Sequence, residues 1–126
     1  MKKIAIIRCE KNEARCPLTN CLTSLMETKE AFAGYDEAVP IGVFTCRCPG
    51  DNIAALAGIL KSKGAEAIHF CTCMFAKKTD AGWLAEKGGF CDHLDHLMAA
   101  SSQATGLPCI KGTAHLPKNY TLEILP

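Results

Sequence analysis

The chain has 126 residues, including nine cysteines, and its 14 basic and 13 acidic side chains nearly cancel. This length suffices for one domain over residues 1–126 and for a hydrophobic core without disulfides. The scattered, balanced charge argues against nucleic acid or an anionic membrane as the main partner, and we expect neither a signal peptide nor a membrane span. A cytoplasmic location with reduced thiols is therefore expected, where this many cysteines indicate metal or redox chemistry.

Strand-like and helical patterns alternate along the chain. Short apolar runs are typical of strands buried in a parallel sheet, and apolar residues at helical spacing predict amphipathic helices between them. In chain order, the sequence predicts a strand at residues 4–7, a helix at 22–33, a strand at 41–45, a helix at 53–63, a strand at 65–70, a helix at 94–106 and a strand at 109–113.

Individual residues refine this pattern. Asp51 or Asn52 can cap the second helix. Pro40, at the start of the second strand, is tolerated best near a sheet edge. Around Trp83 the sequence predicts a short helix, and residues 77–89 are the predicted mobile loop.

Alternating strands and helices imply right-handed parallel crossovers. The predicted fold class is α/β, a three-layer doubly wound arrangement of Rossmann or flavodoxin-like type with about four parallel strands in the order 2-1-3-4. In such sheets, ligands bind at the carboxyl edge, where the loops after the strands meet the amino termini of helices.

Most of the cysteines fall at this predicted edge, although they are far apart in sequence. Thiolates select zinc, copper(I) or iron–sulfur clusters over magnesium or calcium, and nearby helix amino termini stabilise them. A histidine after the last strand can complete a mixed sulfur and nitrogen coordination sphere. The candidate metal ligands are Cys9, Cys16, Cys46, Cys48, Cys73, Cys91 and His115.

The sequence leaves the role of Cys21 and Cys71 as ligands open. Cys109 begins the fourth predicted strand, at the opposite edge, and is interpreted as a buried structural thiol. Residues 46–48 and 71–73 form Cys-x-Cys pairs, whose alternate side chains point the same way if the backbone stays extended. Each pair could then chelate one metal ion or bridge two.

Two other patterns are not expected to form a catalytic or metal-binding site. Cys9 and Arg15 have the spacing of a phosphatase loop, but that loop carries two glutamates and no glycine, so it is a poor phosphate cradle. His69, His93 and His96 are expected to be packed or solvated rather than ligating.

Several blocks in order along the chain resemble the CGGC-domain family, whose members are small, rich in cysteine and histidine, and regarded as metal-binding. The Cys-Gly-Gly-Cys motif is altered, because residues 45–50 read Thr-Cys-Arg-Cys-Pro-Gly. The resemblance implies ligand roles for Cys48, Cys73, Cys91 and His115 and implies no particular reaction. The matching residues are 6–9, 16, 21, 32–35, 42–45, 48–50, 64–65, 68–69, 73–74, 91 and 112–115.

The leading hypothesis is a metal-binding protein that holds zinc or an iron–sulfur cluster. Cys9, Cys48, Cys73 and Cys91 are its principal ligands, with the other candidates in support. Zinc would favour a structural or storage role, and a cluster with an open iron site would favour electron transfer or sulfur chemistry, with a protein redox partner left open. The alternatives are a metal-free thiol oxidoreductase and a non-catalytic interaction module with buried structural cysteines.

Overall fold

The computed structural model describes residues 1–85 and 88–126, which form a mostly parallel five-stranded sheet, a separate hairpin and three α-helices. The predicted mixed α/β class is therefore confirmed. The strands are β1 (Lys2–Cys9), β2 (Ala38–Cys46), β3 (Ala67–Phe70), β4 (Lys77–Thr79), β5 (Gly82–Leu84), β6 (Cys109–Lys111) and β7 (Glu123–Leu125), and the helices are α1 (Thr19–Met26), α2 (Ile53–Ser62) and α3 (Leu94–Thr105).

The five strands of the sheet lie in the order β2-β1-β3-β6-β7. The first four run parallel, and β7 pairs antiparallel with β6, with Ile110 opposite Ile124. Strand β7 is not among the predicted strands because all three of its residues are exposed and form no buried apolar run. The sheet therefore has one strand more than expected.

The centre of the core is β1. Its residues 4–7 are fully buried although successive side chains point to opposite faces of the sheet, so both faces are covered. Helices α2 and α3 pack against each other, and α1 packs against β2. Burial of each large aliphatic side chain in such a position stabilises the fold by about 1.5–3 kcal/mol.

Strand β2 lies at an edge of the sheet, as Pro40 predicted. The ladder with β1 pairs Ile4 with Pro40 and Ala5 with Gly42, which leaves Ile41 as an extra, bulged residue. Bulges are common at sheet edges, where a strand lacks a second partner to hold its register.

The first predicted helix extends too far, because α1 ends at Met26. The backbone then takes left-handed conformations at Thr28 (φ 50°) and Glu30 (φ 54°), which interrupt a right-handed helix. Beyond the break, the Ala31 N–H donates to the carbonyl of Thr113 at 3.1 Å, so this segment is tied to the loop after β6. Helical spacing alone did not reveal this tertiary contact.

The predicted short helix around Trp83 is wrong. This segment is an antiparallel hairpin in which Lys78 pairs with Trp83 across β4 and β5. Gly82 (φ 98°) follows the turn, and the Thr79 hydroxyl donates to its carbonyl at 2.8 Å. The mobility predicted for residues 77–89 stays a prediction, and residues 86–87 of that stretch lie outside the described residues.

Helices α2 and α3 follow the prediction closely. Gly64 (φ 105°) follows the end of α2 and Gly106 (φ 71°) follows that of α3, where glycine takes a positive φ without steric cost. Of the helices in residues 1–85 and 88–126, none has the length and apolar content needed to cross a membrane.

Candidate functional site

The carboxyl ends of β1 and β2 bring two thiols side by side. Cys9 ends β1, Cys46 ends β2, and the two residues are partners in the parallel ladder. Both are buried, with exposed fractions of 2% and 4%. The chain therefore places two sulfur atoms on adjacent strands at the edge where ligands bind in parallel sheets.

Two further thiols reach the same place from loops. Cys48 lies two residues beyond β2 and is exposed, and Cys91 lies three residues before α3 and is half-buried. A thiolate at Cys48 or at Cys91 raises the pKa of both Cys9 and Cys46. We refer to Cys9, Cys46, Cys48 and Cys91 as the edge cluster.

Burial and mutual repulsion disfavour thiolates in the edge cluster. Burial raises the pKa of Cys9 and Cys91 and raises that of Cys46 to about 11, and neighbouring thiolates raise all three further. The backbone N–H groups of Lys11 and His93 partly oppose this by hydrogen-bonding to Cys9 and Cys91. A soft cation bound to these sulfur atoms would offset the repulsion, so the donor set fits zinc or an iron–sulfur cluster.

Two charged side chains border the edge cluster. The Glu10 carboxylate accepts a hydrogen bond from the Cys48 N–H, which places a negative charge beside the edge cluster. Arg47 turns outward, with 62% of its side chain exposed, and its Nη2 lies 3.1 Å from Oε2 of Glu13. The bulky residue in the altered motif therefore pairs with a carboxylate instead of filling the space among the thiols.

Three other thiols form a second group. Cys21 lies in the first turn of α1, Cys71 directly follows β3, and Cys73 lies in the short turn after it. All three line one cavity of about 330 Å³. We refer to Cys21, Cys71 and Cys73 as the cavity cluster.

Hydrogen bonds favour thiolates at two positions of the cavity cluster. The Cys71 thiol lowers the pKa of Cys21 to about 6, and the Thr113 hydroxyl, 3.1 Å from Cys21 Sγ, and the Ala114 N–H also lower it. Cys71 likewise lowers the pKa of Cys73. Its own pKa is raised well above the usual value because its proton is shared with two neighbouring sulfur atoms.

The remaining two predicted ligands, Cys16 and His115, line the same cavity. Cys16 Sγ accepts a hydrogen bond from the Leu18 N–H at 3.4 Å. His115 Nε2 lies 2.9 Å from Nδ2 of Asn20, and its ring stacks on Trp83 with centroids 5.0 Å apart. These contacts hold the His115 imidazole in the wall of the cavity.

The predicted ligands therefore fall into two neighbouring groups. Cys9, Cys46, Cys48 and Cys91 form the edge cluster, whereas Cys16, Cys73 and His115 lie around the cavity. Within the described residues, no three histidine, cysteine or acidic side chains are already arranged to hold a metal ion. The extended backbone that would align each Cys-x-Cys pair is absent at residues 71–73, because Cys71 leads into a 3-10 turn.

Several residues of the cavity are not predicted ligands. The sequence leaves the roles of Cys21 and Cys71 open and places Thr113 only within a predicted strand. Because Thr113 follows the last parallel strand, its hydroxyl at the carboxyl edge was a usable signal. Trp83 gave no such signal, since only the hairpin brings it to His115. Cys109 is fully buried at the start of β6, at the opposite edge, as predicted.

A cysteine-rich α/β protein with thiols gathered at the carboxyl edge of a parallel sheet is the class that this fold and these residues define. The family model described as CGGC domain matches residues 3–114. The chain therefore belongs to the CGGC domain family. No curated protein and no solved structure matches the chain.

Proposed function

We propose that the chain binds a thiophilic metal centre, zinc or an iron–sulfur cluster, through the edge cluster. The observation that carries this proposal is the convergence of four thiols from β1, from β2 and its following loop, and from the loop before α3. Membership of the CGGC domain family supports it. Four sulfur donors suffice for tetrahedral zinc or for a cluster.

We also propose that the fold is three-layer, doubly wound and of Rossmann or flavodoxin-like type. In the sheet, β2 lies on one side of β1, and β3 and β6 lie on the other side, so the direction of strand addition reverses at β1. In such folds the crevice at this change of direction is the usual ligand site. Cys9 lies at the carboxyl end of β1, beside that crevice.

Each protein group has a definite part in this proposal. The buried thiols of Cys9 and Cys46 form a fixed base, and Cys48, which is exposed, can move toward the metal as it binds. The N–H groups of Lys11 and His93 lower the pKa of Cys9 and Cys91, which would favour the thiolate forms that bind metal. A bound zinc ion would supply structural or Lewis-acid chemistry, and a cluster would supply electron transfer.

The test is anaerobic purification followed by a visible spectrum, elemental analysis and acid-labile sulfide on one sample. Brown protein with iron and sulfide would establish a cluster, and colourless protein with stoichiometric zinc would establish a zinc site. A folded protein that contains no metal, and that takes up neither zinc nor iron with sulfide, would contradict the proposal.

Serine variants locate the ligands. Cys48→Ser is the sharpest substitution because the residue is exposed, so loss of metal cannot be ascribed to a damaged core. We expect its metal content to fall well below that of the original chain. Cys16→Ser, in the cavity wall, and Cys109→Ser, at the opposite edge, are the matched controls and should retain metal.

A further inference from the structure

Beyond metal binding, we propose that the cavity cluster is a separate thiol site, at which Cys21 and Cys71 reduce negatively charged low-molecular-weight disulfides. This inference does not depend on the edge cluster. It rests on three features of the described residues: an accessible thiol at a helix amino terminus, a buried thiol directly behind it, and a basic cavity beside them.

Cys21 is placed to attack a disulfide. It is half-buried, lies in the first turn of the eight-residue helix α1, and lines the 330 Å³ cavity. The partial positive charge of a helix amino terminus favours a thiolate. The Thr113 hydroxyl, 3.1 Å from Cys21 Sγ, fixes the direction of the side chain.

Cys71 is placed to resolve the product. It is only 1% exposed, so a substrate disulfide reaches Cys21 first, yet it lines the same cavity as Cys21. The N–H of the next residue, Thr72, donates to the Thr113 hydroxyl that lies beside Cys21 Sγ, so the two cysteines are close together. The main-chain N–H of Cys71 donates to the Ile7 carbonyl at 3.0 Å, which anchors the residue to β1. An accessible attacking thiol and a protected resolving thiol limit side reactions of the intermediate.

A second cavity of about 730 Å³ adjoins the first and indicates the charge of the substrate. The two cavities share Arg15, Cys73 and Trp83 in their linings. Lys77 and Lys78 add two cationic side chains, and the described part of the lining contains no acidic residue. A substrate with carboxylates near its disulfide bond would be attracted to these cations.

The chemical step balances without a further oxidant. The Cys21 thiolate attacks one sulfur of the substrate, forms a mixed disulfide and releases the first substrate thiolate. The Cys71 sulfur then attacks Cys21 Sγ, the second substrate thiolate leaves, and the Cys71 proton passes to a released thiolate. The substrate disulfide gains two electrons, and the two cysteines lose two as they form the Cys21–Cys71 disulfide.

The test uses the full chain as purified, oxidised glutathione as the probe under anaerobic conditions, and peptide mass spectrometry. We expect Cys21–Cys71 to be the dominant disulfide. Cys71→Ser should accumulate glutathione on Cys21, whereas Cys109→Ser should behave as the original chain. Oxidation spread over the exposed and half-buried cysteines, or a Cys71→Ser chain with no glutathione on Cys21, would overturn the proposal.

Cys21→Ser tests the site if Cys71→Ser fails to fold. This variant should neither form the Cys21–Cys71 disulfide nor release the two substrate thiols. Its metal content should equal that of the original chain. Equal metal with lost reduction would support the second site whatever metal the edge cluster holds. An unchanged rate of thiol release from Cys21→Ser would overturn it.

The charge of the substrate is tested separately. The double variant Lys77→Gln and Lys78→Gln should slow the reaction with oxidised glutathione roughly threefold at low salt, with little effect on the uncharged 2-hydroxyethyl disulfide. Lys118→Gln is the matched control, because Lys118 is exposed and lies outside both cavity linings. Equal slowing with both probes would contradict the assignment of an anionic substrate.

Discussion

The edge cluster and the cavity cluster lie at the same end of one sheet, yet their surroundings shift the pKa values of Cys46 and Cys21 in opposite directions. At the edge cluster, burial and neighbouring thiolates raise the pKa of Cys46 to about 11. At the cavity cluster, hydrogen bonds lower the pKa of Cys21 to about 6. Sulfur atoms that repel one another suit a cation, whereas a thiolate stabilised by donors suits nucleophilic attack. Cysteine count alone does not distinguish these environments.

The largest expected effect comes from metal removal, which should affect the edge cluster and leave the cavity cluster unchanged. Metal that binds only the folded state stabilises it, and this contribution is lost on chelation. For free metal at a thousandfold its Kd, chelation should lower the free energy of unfolding by about 4 kcal/mol. Denaturant unfolding with and without chelator measures the difference. Cys48→Ser should show little response to chelator, and Cys21→Ser should respond like the original chain.

Acid should destabilise the core of the sheet through His69, which lies in β3. This residue is fully buried, its Nδ1 lies 2.9 Å from the Gly112 carbonyl and its Nε2 2.8 Å from the Tyr35 hydroxyl. Burial lowers its pKa to about 4, so the unfolded chain binds the proton more tightly. Stability from this group is therefore complete above about pH 6.5 and falls by about 3 kcal/mol as the pH drops toward 4.

Unfolding curves between pH 7 and pH 4 check this prediction. His69→Phe removes the titrating group, so its stability should vary less with pH across this range, even if the variant is weaker at pH 7. An equal pH dependence in the two chains would contradict the role given to His69.

Part of this contrast could be predicted from the sequence. Alternating patterns correctly predicted the α/β class, and the position of each cysteine after a strand correctly suggested the carboxyl edge for Cys9 and Cys46. The division into two clusters could not be predicted, because it depends on how loops turn after the strands. Cys71 enters a 3-10 turn and joins Cys21, which is 50 residues away along the chain.

The hairpin shows a second limit of sequence patterns. Lys77 and Trp83 belong to short strands of three residues each, too short for strand periodicity to be distinguished from that of a helix. The stacking of Trp83 on His115 brings together residues 32 positions apart and depends on tertiary packing. The sequence therefore could not predict that the hairpin places basic side chains in the lining of the larger cavity.

A smaller effect is expected from Thr113→Val, which would sharpen the difference at Cys21. The substitution removes the hydroxyl beside Cys21 Sγ and leaves the Thr72 N–H without its acceptor at 3.2 Å. We expect a stability loss of about 2 kcal/mol and a higher pKa for Cys21. The midpoint of Cys21 alkylation, near pH 6 in the original chain, should move upward.

Mass-spectrometric mapping of alkylation against pH measures this midpoint. Thr113→Ser keeps the hydroxyl and should preserve it, and metal content should be unchanged in both variants. A midpoint that does not move in Thr113→Val would mean that the hydroxyl does not stabilise the Cys21 thiolate.

The smallest effect is expected from Arg47→Gln at the edge cluster. Because the Arg47 guanidinium pairs with Glu13 in an exposed position, its removal should change metal affinity by less than about threefold. Competition with a chromophoric chelator measures that affinity. A tenfold change would show that Arg47 acts on the thiols directly, and the two clusters would then differ less than proposed.

The irregular strand at the margin of the sheet has a consequence for self-association. An unpaired margin of backbone amides and carbonyls invites another chain to extend the sheet, and long flat margins favour aggregation. In β2, Pro40 withholds one donor and the bulge at Ile41 disturbs the spacing of the others. These two adjacent residues therefore make β2 a poor template for intermolecular strand pairing.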